Sequence, residues 1–216
     1  MNENILTAIK DCRIFSGSDE ICRFVAEKYS NETAIFSRGE VIFSAEKFHK
    51  SLGIILSGNA RVERCGADGR NIGMSILSRG DMFGMAVLFN GTQRFDSLIT
   101  AKNSCSVLYI PEDGLREIFI RYPDVSVAYV EFLSSRIEYL SERLCVLSQP
   151  APGDRLQKYL EALPVDEEGE ITLPMSLSKL ALFLNIGRAT LYRMLGDDGE
   201  CDFAFAENGK VRRRNL

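Results

Sequence analysis

The stretch from Ser176 to Leu195, Ser-Leu-Ser-Lys-Leu-Ala-Leu-Phe-Leu-Asn-Ile-Gly-Arg-Ala-Thr-Leu-Tyr-Arg-Met-Leu, constrains this chain more than any other. It reads as two short helices joined by a tight turn, the geometry that delivers a helix into a DNA major groove. Ser176 is a good helix N-cap. Leu177, Leu180, Ala181 and Leu184 recur at helical spacing. Ala181 is small where a second helix must cross closely, and Asn185 stands where the turn needs left-handed backbone, which Asn tolerates better than most residues. Ile186 and Leu191 plug the gap between the helices. Arg188, Ala189, Thr190, Tyr192 and Arg193 are left on the outer face of the second helix, with no acidic residue among them. The rival is an ordinary helical hairpin in a core, but a packing helix has little use for two arginines there.

At 216 residues the chain has room for one large domain or two smaller ones, each with a real core. No run of about 18 apolar residues marks a membrane span. The start, Met-Asn-Glu-Asn-Ile-Leu, lacks the features of a signal peptide, so a cytoplasmic location is expected. Six cysteines are scattered singly, which argues against a disulfide framework. Charge pulls the other way from nucleic acid. The net charge is −4, and residues 153–216 carry nine Lys and Arg against eleven Asp and Glu. Placement is what keeps DNA in play. Asp166, Glu167, Glu168 and Glu170 cluster in one loop, whereas Lys210, Arg212, Arg213 and Arg214 cluster at the other end. DNA feels the field within roughly 8 to 10 Å of the face that it meets.

Upstream, residues from about Ile35 to Pro111 alternate short apolar runs with turn signals. Strands are expected at Val41–Phe43, Leu52–Leu56, Ala60–Arg64, Ile72–Leu77 and Cys105–Ile110. Their spacing suggests a sandwich or a barrel-like jelly roll. Glycines in Arg38-Gly39-Glu40, Ser57-Gly58-Asn59 and Arg79-Gly80-Asp81-Met82-Phe83-Gly84 would turn its corners. From Asp124 to Ser148 there is neither Gly nor Pro, and Val130, Leu133, Ile137, Leu140, Leu144 and Leu147 recur in steps of three and four. That period of 3.5 predicts a long helix with a coiled-coil seam, and favours pairing with a second copy over packing on its own domain. Ser148-Gln149-Pro150-Ala151-Pro152-Gly153 then makes a hinge. Asp154 is expected to cap a further helix ending near Leu163.

These parts in this order resemble the cyclic-AMP receptor protein/FNR superfamily of bacterial transcription regulators. The resemblance covers nearly the whole chain and is strongest at Arg79–Gly84, at the long helix and at Gly187–Arg193. It implies an α+β fold: a β jelly-roll effector domain (1–123), a dimerisation helix (124–148), a hinge (149–153) and a winged helix-turn-helix (154–216). It also implies a homodimer on a palindromic operator in double-stranded DNA, with RNA polymerase a partner if the protein activates. The wing is expected as a hairpin from Phe203 to Arg212, turning at Glu207-Asn208-Gly209-Lys210.

Carried over residue by residue, Arg188 and Arg193 match the two arginines that read bases and adjoining backbone. Thr190 lies between them, and Ser176 matches the phosphate-binding cap. Lys210 and Arg212 are the basic contacts expected of the wing. Ala189 departs from the glutamate that many members use to accept from cytosine, so the operator should differ at that base pair. The effector region departs further. Cyclic-AMP binders offer a glutamate to the ribose and an Arg-Ser pair to the phosphate. Here an ungapped alignment puts Met85, Phe95 and Asp96 at those places, with Arg94 one residue away and Leu140 and Ser141 at the helix positions that touch the base. An unneutralised Asp beside a buried phosphate would cost several kcal/mol. A small-molecule effector other than cyclic AMP is therefore expected, in a pocket lined by Gly84, Met85, Arg94, Phe95, Asp96, Leu140 and Ser141.

Other sensing chemistries have less to stand on. An iron–sulfur cluster needs closely spaced thiolates, and Cys12 and Cys22 lie ten residues apart without a near third. A haem would need an axial ligand, and the single histidine, His49, lies in a polar stretch expected to be a surface loop. A thiol switch between Cys12 and Cys22, or a regulatory roll without DNA contacts, are the alternatives within the fold. With no Gly-rich phosphate loop, no metal-ligand spacing and one histidine, nothing suggests an enzyme.

Overall fold

A computed structural model describes residues 3–47, 49–65, 71–91, 97–196, 201–206 and 209–214. The chain divides into two compact units, Met1–Arg136 and Ile137–Leu216, each with its own core. The first begins with two helices that the apolar patterning above did not announce, α1 (Glu3–Asp11) and α2 (Asp19–Tyr29). Eight strands follow: β1 (Thr33–Phe36), β2 (Val41–Phe43), β3 (Ser51–Ser57), β4 (Ala60–Cys65), β5 (Asn71–Leu77), β6 (Met82–Phe83), β7 (Ser97–Ala101) and β8 (Cys105–Pro111). A 3-10 turn, Met85–Val87, lies between β6 and β7. Helices α3 (Glu112–Arg121) and α4 (Pro123–Leu147) come next, and α4 runs on beyond Arg136.

The strands form two antiparallel sheets, ordered β1-β8-β3-β6 and β2-β7-β4-β5. Their inner faces meet in one core, where Ile55, Val107 and Tyr109 pack with Ile42, Phe43 and Ile99. The other face of the first sheet is also covered. Leu52, Ile54, Leu56, Leu108 and Ile110 pack against Ile9, Val25, Leu115 and Val125 from α1, α2, α3 and α4. This explains the unbroken apolar run of β3: successive side chains point to opposite faces, and both faces are buried. The corner glycines behave as expected. Gly80 and Gly84 have φ of +83° and +87°, and at Gly80 an added Cβ would stand 2.8 Å from the Asp11 side chain. The loop is tied down further by Arg79, whose guanidinium meets the Asp11 carboxylate at 2.7 Å.

The second unit contains the last part of α4, then α5 (Pro152–Glu161), β9 (Glu170–Ile171), α6 (Leu177–Phe183), α7 (Arg188–Leu195), β10 (Phe203–Phe205) and β11 (Val211–Arg213). The three strands make a small antiparallel sheet ordered β10-β11-β9. One expectation needs correcting here. Asp154 does not cap α5; Ala151 occupies the cap and Pro152 the first helical position, where its missing N–H costs nothing. Asp154 falls within the first turn, where its charge suits the positive end of the helix dipole. Among the described residues no helix is long and apolar enough to cross a membrane.

Candidate nucleic-acid interface and sensor region

The two-helix stretch folds as its residues suggest. Ser176 caps α6, its hydroxyl accepting from the Lys179 N–H at 3.4 Å. Asn185 takes the left-handed turn with φ of +53°, and the Ile186 N–H closes the turn onto the Ala181 carbonyl at 3.0 Å. Leu180, Ala181, Phe183 and Leu184 bury against Leu191 and Leu195 of α7, with Leu156 and Leu160 of α5 behind them and Ile186 packed at the edge. Burial of Leu191 and Leu195 leaves the rest of α7 to solvent at helical spacing: Arg188, Ala189, Tyr192 and Arg193 are exposed, and Thr190 is half-buried. The described residues of α7 carry no acid.

Two arginines that the motif does not predict hold this arrangement. Arg143, on the last turns of α4, is only 3% exposed. It donates to the Phe183 and Leu182 carbonyls, each at 3.1 Å. Arg155 of α5 donates to the Leu184 carbonyl at 3.3 Å, to Gln149 at 2.9 Å and to Pro150 at 3.1 Å. Both guanidiniums therefore sit at the C-terminal end of α6, where carbonyls lack intrahelical donors and the helix dipole is negative. Arg155 binds the segment between α4 and α5 to the turn in the same stroke. In the sequence these two look like ordinary solvated charges.

The wing carries a larger correction. The acidic loop and the basic C-terminal cluster, which the linear sequence sets apart, are neighbours: Arg212 of β11 pairs in register with Glu170 of β9. Lys210 meets Asp166 at 2.8 Å, Glu170 at 3.4 Å and Glu168 at 3.9 Å. The Lys210 hydrogen bond holds the Asp166 carboxyl below its usual range, and Asp166 in turn holds the Lys210 ammonium above its own. Arg213 reaches Glu161 at 3.7 Å. Arg214 turns inward, donating to the Cys201 carbonyl at 2.8 Å, to Phe203 at 3.2 Å and to Gly196 at the end of α7. The basic cluster is thus mostly spent on the protein itself. Arg212 is exposed on the wing strand. The hairpin joins β10 to β11 as expected, with Phe205 opposite Val211; Glu207 and Asn208 of its turn lie outside the described residues.

In the first unit, Gly84 is buried at the start of the 3-10 turn, and Met85 is partly buried against the core under the first sheet. Arg94, Phe95 and Asp96 lie outside the described residues. Leu140 and Ser141 are exposed on α4. Cys12 and Cys22 are buried; burial pushes the Cys12 thiol up to about 12, and the Cys22 thiol donates to the Phe15 carbonyl at 3.2 Å. Burial raises both thiols above the usual range, which disfavours the thiolate form. His49 is exposed, as expected of a loop residue, with its ring 4.8 Å from Tyr109 and 5.5 Å from Phe43.

Residues 34–122, the β-roll and α3, match the cyclic nucleotide-binding domain family. A global nitrogen regulator of Synechococcus elongatus is 27% identical over 170 residues, spanning 75% of this chain and 76% of that protein. A CRP-like cAMP-activated global transcriptional regulator of Mycobacterium tuberculosis is 25% identical, covering 82% of this chain and 78% of its own. Among solved structures, CprK complexed with OCPA superposes with a TM-score of 0.63 at 15% identity, over 86% of this chain and 89% of that one. The last of these is a likeness of fold.

Proposed function

We propose that this chain is a member of the cyclic-AMP receptor protein/FNR superfamily of bacterial transcription regulators, and that it is a homodimeric, sequence-specific DNA-binding regulator. The observation that carries the reading is the outer face of α7. Arg188, Ala189 and Arg193 stand exposed together on a helix whose other side is anchored by Leu191 and Leu195. Arg can bridge guanine O6 and N7 in the major groove, and the Ala189 methyl suits a thymine methyl. Pairing of two copies is supported by α4, on which Val130, Ile137 and Leu144 are 60%, 66% and 72% exposed at heptad spacing.

An effector other than cyclic AMP fits the sensor region. The resemblance aligns Met85 with the carboxylate that cyclic-AMP binders offer to the ribose, and the Met85 side chain packs on the apolar core. A global nitrogen regulator and a cAMP-activated regulator are similar to this chain to nearly the same degree, so kinship alone does not choose an effector. The functional test is retention of genomic DNA fragments by the purified protein, followed by footprinting of the retained duplexes. A protected palindrome whose affinity falls steeply with salt is the expected result. Failure to retain any duplex at low salt would leave a regulatory roll without a DNA partner.

A further inference from the structure

The outer face of α7 contains one side chain that neither the core nor the two arginines account for. Tyr192 is 45% exposed, one helical turn beyond Arg188 and next to Arg193. Its ring leans toward the wing, 5.7 Å from the ring of Phe205 on β10, with the two planes at 46°. That contact explains an aromatic ring at this corner, and phenylalanine would serve it equally well. It does not explain the hydroxyl. The buried hydroxyls lacking partners belong to Tyr29, Tyr129 and Tyr159, all within the cores. The Tyr192 hydroxyl instead projects from a half-exposed ring, and no described residue hydrogen-bonds to it.

Resting on the reading of α7 as the groove helix, we propose that the Tyr192 hydroxyl donates a hydrogen bond to an operator phosphate, making this residue a positioning contact rather than a base reader. Two features point to phosphate. The ring is held against Phe205 of the wing, so it is not free to follow a base edge. No acid on α7 opposes a bound phosphate there. Phe205 fixes the ring before DNA arrives, so little side-chain freedom is lost on binding.

Phosphate contacts set register without reading sequence, and a neutral donor releases no counterion. The proposal therefore has a distinctive signature. Binding of wild type, Tyr192→Phe and Tyr192→Ala would be measured on a duplex selected from genomic fragments and on an unrelated duplex, between 50 and 200 mM salt. Tyr192→Phe keeps the stack on Phe205, and its thermal unfolding should match wild type. It should bind both duplexes about tenfold more weakly, the scale of one hydrogen bond to a charged acceptor, with the salt slope and footprint unchanged. Wild-type affinity in Tyr192→Phe, with loss only in Tyr192→Ala, would mean that the ring matters merely for packing and would overturn the proposal. So would a loss confined to the selected duplex, which would make Tyr192 a base reader. If wild type retains neither duplex at 50 mM salt, the assignment of α7 to DNA fails first, and this one falls with it.

Discussion

Arg188 and Lys210 show how differently two cations of one unit can be committed. Arg188 stands in water at the start of α7, so its guanidinium is available to a base. Arg188→Ala should cost about 1–3 kcal/mol of specific affinity and relax preference at one base pair, as read by competition among operator variants. Lys210 is held among Asp166, Glu168 and Glu170. The tie persists through neutral pH. Asp166 is depressed by Lys210, so its contribution is complete above the ordinary carboxylate range and lost as pH falls through its lowered value. Lys210 is raised by Asp166, so its own is complete below the ordinary lysine range and lost as pH rises through its raised value. A phosphate must compete with these acids for Lys210. Asp166→Asn should therefore strengthen non-specific DNA binding and steepen its salt dependence by up to about one unit. An unaltered slope in filter binding would remove Lys210 from the interface.

At the scale of elements, the connection from α4 to α5 is the part whose mechanical character changes most in three dimensions. Pro150, Pro152 and Gly153 suggest a flexible joint, yet Arg155 clasps the Gln149, Pro150 and Leu184 carbonyls at once. Arg143 meanwhile ties the end of α4 to the end of α6. Removing Arg143 strands buried carbonyls, so Arg143→Met should destabilise the second unit by about 1–3 kcal/mol in denaturant unfolding. Arg155→Met should raise amide exchange and proteolytic cutting at residues 148–153 by more than it lowers global stability. Equal protection of that segment in variant and wild type would mean that the proline-bounded backbone is rigid without its clasp.

For the whole molecule, the exposed apolar positions of α4 set the expected assembly. Ile137→Lys should place an unpaired charge on the seam and weaken both self-association and operator binding, since two half-sites must be engaged together. Sedimentation of the wild type as a monomer at micromolar concentration would refute the pairing. The sensor is predicted to ignore cyclic AMP and cyclic GMP, because Met85 offers a ribose hydroxyl only a weakly accepting thioether in place of a carboxylate. Calorimetry with either nucleotide should give no micromolar binding, and a clear isotherm would show that residues outside Met85 supply the missing contacts.

What the sequence alone determined is the set of features written into contiguous residues. The helix-turn-helix is legible because its cap, its left-handed Asn185 and its buried leucines lie within twenty positions, and local spacing specifies local structure. The long helix and most strands of the roll are legible for the same reason. Helices α1 and α2 show a weaker signal, since short apolar sets such as Ile5, Ala8 and Ile9 become meaningful only once the first sheet offers a face to cover. Charge placement was decided by the tertiary structure. Asp166 and Lys210 are 44 positions apart, and only the pairing of β9 with β11 makes them partners. Arg143 and Arg155 likewise look solvated until α6 ends beside them. An ion pair depends on distance in space, to which sequence separation is blind. Hence the apolar skeleton of this protein could be read in order, while the question of which cations are tied to acids of the protein could be answered only by folding it.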